Sequence, residues 1–128
     1  MSSQSSEFDL HTAIISWLNL LLPADSVIHH SPNEGQHKVQ YRAKQKRLGV
    51  QAGWPDIEVF VPPKHWHRPL LGWAPIFLEV KSAKGRVSTA QKETMARLSR
   101  TGAHVTVVRS IDDVADYLGG LLTLRGHG

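Results

Sequence analysis

The sequence predicts an α/β fold in which a mixed β-sheet is flanked by helices. Three observations predict it. Apolar residues recur at helical spacing near the start, at Leu10, Ile14, Leu18 and Leu21. Short runs rich in β-branched and aromatic residues follow, bounded by Gly and Pro. The last of these runs comes directly after a helical pattern with its own start signal. Such a crossover sets the strands on either side of it parallel.

The first helix is expected from Phe8 to Leu22, with Ser6 as its cap and Pro23 as its stop. Ser26 to His30 reads as a possible short strand. Ser31 to Gly35 has the composition of a turn. Lys38 to Leu48 reads as a polar helix ended by Gly49. Gly53-Trp54-Pro55 leads into a strand from Asp56 to Val61, which Pro62 and Pro63 close. Lys64 to Ala74 carries His65, Trp66, His67, Arg68 and Trp73 and reads as an irregular connection. A second strand runs from Ile76 to Lys81, and Gly85 turns the chain. Ser88 and Gln91 form a capping box at the start of the next helix, which Gly102 ends. His104 to Val108 is a strand expected to lie parallel to Ile76–Lys81. Ser110 caps the last helix, whose first turn holds Asp112 and Asp113, where the helix dipole favours acids. Gly119-Gly120 closes it.

The chain has 128 residues, the size of a single domain, 1–128, with one core. No apolar run reaches the 18 or so residues of a membrane span. The serine-rich start lacks the basic and apolar regions of a secretory signal. The expected location is therefore intracellular: bacterial cytoplasm, or a phage-infected host. With no cysteine, disulfides and thiolate metal sites are excluded. The eight histidines supply no third ligand at zinc spacing. There is no phosphate-binding Gly-rich loop and no Gly-x-Ser-x-Gly elbow. The formal charge of +4 and a pI near 9.7 suit a polyanionic partner.

Chemistry concentrates on two strands. Asp56 begins one, and Glu79-Val80-Lys81 ends the next. Side chains alternate along a strand, so Glu79 and Lys81 share a face while Ile76, Leu78 and Val80 take the buried one. If the strands are neighbours, Asp56 meets the pair. Two carboxylates hold a hard divalent cation through oxygen. Such an ion polarises a scissile phosphate and acidifies water, and a nearby ammonium offsets developing negative charge. Taken singly, Glu-x-Lys is an ordinary strand-end ion pair and Pro-Asp an ordinary strand start. Their order on sequential strands, before a capped helix, is the informative part.

Gly53-Trp54-Pro55-Asp56-Ile57, Leu78-Glu79-Val80-Lys81 and Gly85-Arg86-Val87-Ser88-Thr89-Ala90-Gln91 together resemble the PD-(D/E)xK nuclease superfamily. More closely they resemble the VRR-NUC family of virus-type replication-repair nucleases. The likeness covers about Glu7 to Leu118. It implies a restriction-endonuclease-like core and a Mg2+-dependent endonuclease, with Mn2+ as a substitute. It implies Asp56, Glu79 and the Val80 carbonyl as metal ligands, and Lys81 as the group that places the attacking water. Gln91 matches a glutamine near the family's site, and it also fits a pure capping role. Glu7 matches the family's first-helix glutamate, which implies a further site residue or else a solvated first-turn acid, although His11 stands where the family usually has glutamine. Related stand-alone domains imply a homodimer acting on branched DNA such as four-way junctions. The alternative is a non-catalytic DNA-binding or assembly module that kept the fold, which would be expected to have lost one of Asp56, Glu79 and Lys81.

Lys38, Arg42, Lys44, Lys46 and Arg47 crowd one segment, and Arg86 follows the Glu-x-Lys strand. A charge run is usually a solvated face. Beside a nuclease site these six residues are candidate phosphate contacts. Trp54 is expected to pack or line the site entrance. Trp66 and Trp73 are candidates for base stacking or for loop packing.

Overall fold

The computed structural model describes residues 3–31 and 39–126, with the side chains of 3–6 and 39–42 outside the described set. Its elements in chain order are α1 (Ser3–Leu21), β1 (Val27–His30), α2 (Val39–Arg47), β2 (Ile57–Phe60), β3 (Ile76–Val80), α3 (Thr89–Arg100), β4 (His104–Val108) and α4 (Ile111–Gly119). The sheet order is β1-β2-β3-β4. The first two pairings are antiparallel and β3–β4 is parallel, the arrangement a helical crossover through α3 requires. It is a mixed α/β sheet flanked by helices.

α1 lays Ile14, Leu18 and Leu22 against the sheet, all fully buried. Each contributes on the order of 1.5–3 kcal/mol. α4 adds Val114 and Leu118, and these residues enclose Ile57, Val59, Ile76, Leu78 and Val80. Leu22, one residue past α1, continues the apolar line, whereas Leu21 is only half-buried. The helix begins at Ser3, a turn before the expected start, so Ser6 lies inside it and is not its cap.

The opposite face of β3 carries Phe77 and Glu79, and α3 and Trp54 approach it. All five residues of β3 are buried. The alternation expected of this strand therefore fails on burial, because β3 is a central strand covered on both sides. The connection after β2 is not wholly irregular. It holds two 3₁₀ turns, Pro63–His65 and Pro69–Trp73. Trp66 is buried there, with its indole N–H donating to the Val61 carbonyl at 2.9 Å. That is packing, whereas Trp73 stays 81% exposed. No described helix is long and apolar enough to cross a membrane.

The link from α2 to β2 is fastened to α3. Thr94 Oγ1 donates to the Ala52 carbonyl at 2.7 Å. Gly53 has φ +74°, and a Cβ there would fall on the Ala90 carbonyl and 2.7 Å from the Gln91 nitrogen. Gly49 also has a left-handed φ, +95°, but faces open space. Gly49→Ala should cost about 1 kcal/mol, the left-handed penalty alone. Gly53→Ala should cost roughly 2–4 kcal/mol, since the clash adds to it. Urea unfolding of both variants checks this, and equal losses would show that the Gly53–α3 contact is not needed.

Candidate active site

Asp56 stands immediately before β2, where Pro55 ends the docked link and Ile57 pairs with Leu78. Its Oδ2 accepts the Val80 backbone N–H at 2.8 Å. This bond ties the start of β2 to the end of β3 and aims the Asp56 carboxylate at Glu79. The Asp56 carboxylate lies close enough to Glu79 for its charge to act on that carboxyl. Lys81 follows, with Nζ 3.5 Å from Glu79 Oε2. Its backbone N–H donates to the Val108 carbonyl on β4 at 3.0 Å, which extends the parallel pairing one residue past β3.

Gln91 does two things at once. Its Oε1 accepts the Ser88 N–H at 2.9 Å, completing the capping box with Ser88 Oγ on the Gln91 N–H. Its Nε2 donates to Glu79 Oε2 at 2.9 Å. Capping and site contact therefore both hold.

Glu79 is 1% exposed. Oε2 is met by Gln91 and Lys81, while Oε1 is buried with no hydrogen-bond partner among the described residues. Burial first, and then the nearby Asp56 carboxylate, push the Glu79 carboxyl up to about 8, against the opposing pull of Lys81. An unpartnered buried oxygen beside a second carboxylate fits a hard cation taken up through oxygen. The donor set thus suits the implied metal.

The surroundings add residues the motifs do not contain. The Asp56 carbonyl accepts the Ser31 N–H at 2.9 Å and His30 Nδ1 at 3.2 Å. A carbonyl only accepts, so Nδ1 carries the proton. His11 of α1 packs edge-on to His30, ring centroids 4.7 Å apart. Burial, then the His30 charge, lower the His11 pKa, and Asp56 partly opposes them. Glu58 accepts both Ser31 Oγ at 2.8 Å and Trp54 Nε1 at 3.0 Å. Trp54 also stands edge-on to Phe77 at 5.4 Å.

A sequence model of the VRR-NUC domain matches residues 2–112. The chain belongs to the VRR-NUC domain family. A solved structure described as a VRR_NUC domain protein is 26% identical, with a TM-score of 0.66 over 89% of this chain and 85% of that one. No curated protein matches. The family is nuclease-type, and its fold is the mixed sheet described above.

Within this VRR-NUC domain, Asp56, Glu79, Val80, Lys81 and Gln91 lie together. Glu7 is half-buried on α1, one turn before His11 on the same side. Nothing among the described residues bonds it to Asp56 or Glu79. Lys44, Lys46 and Arg47 are exposed at the last turn of α2, and Arg86 is exposed after β3. Arg42 lies on α2 with its side chain outside the described set, and Lys38 lies outside the described residues, as do 32–35 of the expected turn. Glu58 was reachable from sequence, since it follows Asp56 by two positions and so shares its face. The His30 bond to Asp56 leaves no local sequence signal.

A raised Glu79 pKa opposes folding of the metal-free protein wherever the unfolded carboxyl is ionised. Below about 4.5 both states hold the proton; between there and about 8 only the folded state does. Stability in chelator should therefore fall as pH rises through that window, by on the order of 1–3 kcal/mol between pH 6 and 9. Glu79→Gln should flatten this slope relative to the unsubstituted chain. Identical slopes in urea titrations of the two proteins would contradict the assignment.

Proposed function

We propose that this VRR-NUC domain is a divalent-metal-dependent endodeoxyribonuclease that hydrolyses phosphodiester bonds in branched DNA as a homodimer. The observation that carries the reading is the buried Glu79 carboxyl, with Oε1 unpaired among the described residues, under the influence of the Asp56 carboxylate and with Lys81 alongside. Membership of a nuclease-type family supports it. Asp56, Glu79 and the Val80 carbonyl would hold Mg2+, and Mn2+ would substitute. When bound, the cation supplies Lewis-acid polarisation of the phosphate and a more acidic water.

The protein groups have separable tasks. The Val80 N–H holds Asp56 in place, and Gln91 holds Glu79, so neither carboxylate needs to reorganise. Lys81 orients the attacking water and offsets negative charge as it builds on the phosphate. Lys44, Lys46, Arg47 and Arg86, with Lys38 and Arg42, would contact phosphates without reading sequence. His30 and Ser31 clamp the Asp56 carbonyl and keep the strand end from fraying.

Asp56→Asn and Glu79→Gln should each abolish Mg2+-dependent cleavage while the fold is retained by circular dichroism. Lys81→Ala should lower the rate about 100-fold or more, the scale of one lost electrostatic stabiliser, with DNA affinity nearly unchanged. Undiminished cutting by either carboxylate variant would sink the metal assignment. A Lys81→Ala loss of rate matched by equal loss of binding would make that lysine a simple phosphate contact.

Two cuts are needed to resolve a four-way junction, and a two-fold dimer supplies two sites. Sedimentation at micromolar concentration should give twice the chain mass. Four-way DNA should be cut in preference to linear duplex, with binding that weakens steeply as salt rises. A monomer cutting both substrates equally would refute the branched-DNA and dimer proposals while leaving the nuclease reading standing.

A further inference from the structure

Beyond the residues of the motifs, one cation is built into the wall of the site. Arg109 follows β4 directly, beside Lys81 across the parallel pair, since the Lys81 N–H donates to Val108. Its backbone is fixed, with the Arg109 N–H donating to Asp113 Oδ2 at 2.8 Å. Asp113 in turn is held in the first turn of α4 by Ser110 Oγ. The side chain reaches back over the strand ends. Nη1 donates to the Ser82 carbonyl at 2.7 Å and to the Gly85 carbonyl at 2.7 Å. One nitrogen with two hydrogens thus bridges both ends of the turn that follows Lys81.

That turn is tight. The Gly85 N–H donates to the Ser82 carbonyl at 3.0 Å, and a Cβ on Gly85 would stand 3.1 Å from the buried Ser82 Oγ. Ser82 is 5% exposed and its carbonyl accepts from both the Gly85 N–H and Arg109, whereas among the described residues Arg109 is the donor to the Gly85 carbonyl. The turn leads from Lys81 to Arg86 and then to the Ser88–Gln91 box. Its place decides where all three stand.

We infer that Arg109 is a positioning residue: its guanidinium clamps the Ser82–Gly85 turn and so fixes Lys81 and Arg86 for the proposed reaction. The inference rests on the nuclease reading for its kinetic part only, because the clamp itself is visible without turnover. A planar fork with several fixed donors suits two convergent carbonyls better than a flexible, strongly hydrated ammonium.

The test compares the full chain with Arg109→Met and Arg109→Lys. Trypsin should cut Arg109→Met after Lys84 or Arg86 faster, relative to the exposed Lys64 as internal reference. With Mg2+ and DNA, kcat of Arg109→Met should fall about 10- to 100-fold, as for a group displaced by about 1 Å. KM should stay within about threefold, and the fall in kcat should persist after rates are normalised to the folded fraction measured by circular dichroism, because loss of folded protein alone lowers apparent kcat at constant KM. Arg109→Lys should recover part of both effects. Unchanged relative trypsin cutting together with unchanged kcat would overturn the inference. So would intact kcat with a salt slope of binding reduced by about one, which marks a phosphate contact instead. If the unsubstituted chain cuts no DNA with Mg2+ or Mn2+, the nuclease reading fails, and the trypsin comparison alone decides whether the clamp exists.

Discussion

Burial of Glu79 in the central strand is the constraint around which the rest is arranged. An ionised carboxylate removed from water costs several kcal/mol unless it is compensated. β3 is flanked on both edges and covered on both faces, which leaves Glu79 only 1% exposed. Compensation comes from two groups only, and it is incomplete. Gln91 and Lys81 meet one oxygen, Asp56 crowds the carboxyl from β2, and the other oxygen is left bare. The apolar core under Ile76, Leu78 and Val80 makes the arrangement tolerable, because it carries the stability that Glu79 takes away. This is the usual opposition between a site that works and a fold that is as stable as it could be.

The same constraint explains why so many secondary contacts converge on strand ends. Asp56 must sit within reach of Glu79, so the chain before it is fixed twice: by Thr94 on Ala52 and by the close approach of Gly53 to Ala90. The Asp56 carbonyl is fixed twice more, by Ser31 and His30. Gln91 must reach Glu79 while starting α3, which a capping box achieves with one side chain. α3 thus joins the β2 lead-in, the β3 acid and the β4 crossover into one rigid corner.

Much of this was legible in the sequence because its causes are local. Ser88 and Gln91 specify a helix start by their own hydrogen bonds, and the start is where the spacing puts it. Val-rich strands after a capped helix force the parallel β3–β4 pair. Asp56 and Glu79 were candidates by order alone, and antiparallel pairing of Ile57 with Leu78 brings them together. What was not legible depends on partners far apart in the chain. Period-two alternation expected polar exposure opposite Ile76, Leu78 and Val80, but the packing of α3 and Trp54 buries that face too. Ser6 had the chemistry of a cap, yet α1 runs one turn further back. Arg109, with its bonds across the Ser82–Gly85 turn, gains meaning only from tertiary contacts, as do the bonds of Glu58 to Ser31 and Trp54, although the face Glu58 shares with Asp56 is set by local spacing.

The distribution of charge follows from the same logic. Asp56, Glu58 and Glu79 gather acid at one end of the sheet, and two of the three flank the buried corner. Such a cluster repels a phosphodiester. A surplus of base must therefore lie outside it, and the chain, at +4, has one. Lys44, Lys46 and Arg47 sit in the last turn of α2, where the helix dipole welcomes them. That helix has no apolar face and no substantial packing on another described element, so burial does not hold these residues where they are. Their charges remain in water, screened over about 8–10 Å at moderate salt. On the nuclease reading they attract a polyanion to the neighbourhood of the acids without entering the corner. Inside it, within bonding distance of Glu79, the positive charge is that of Lys81, the one described cation whose ion pair reaches the buried carboxylate.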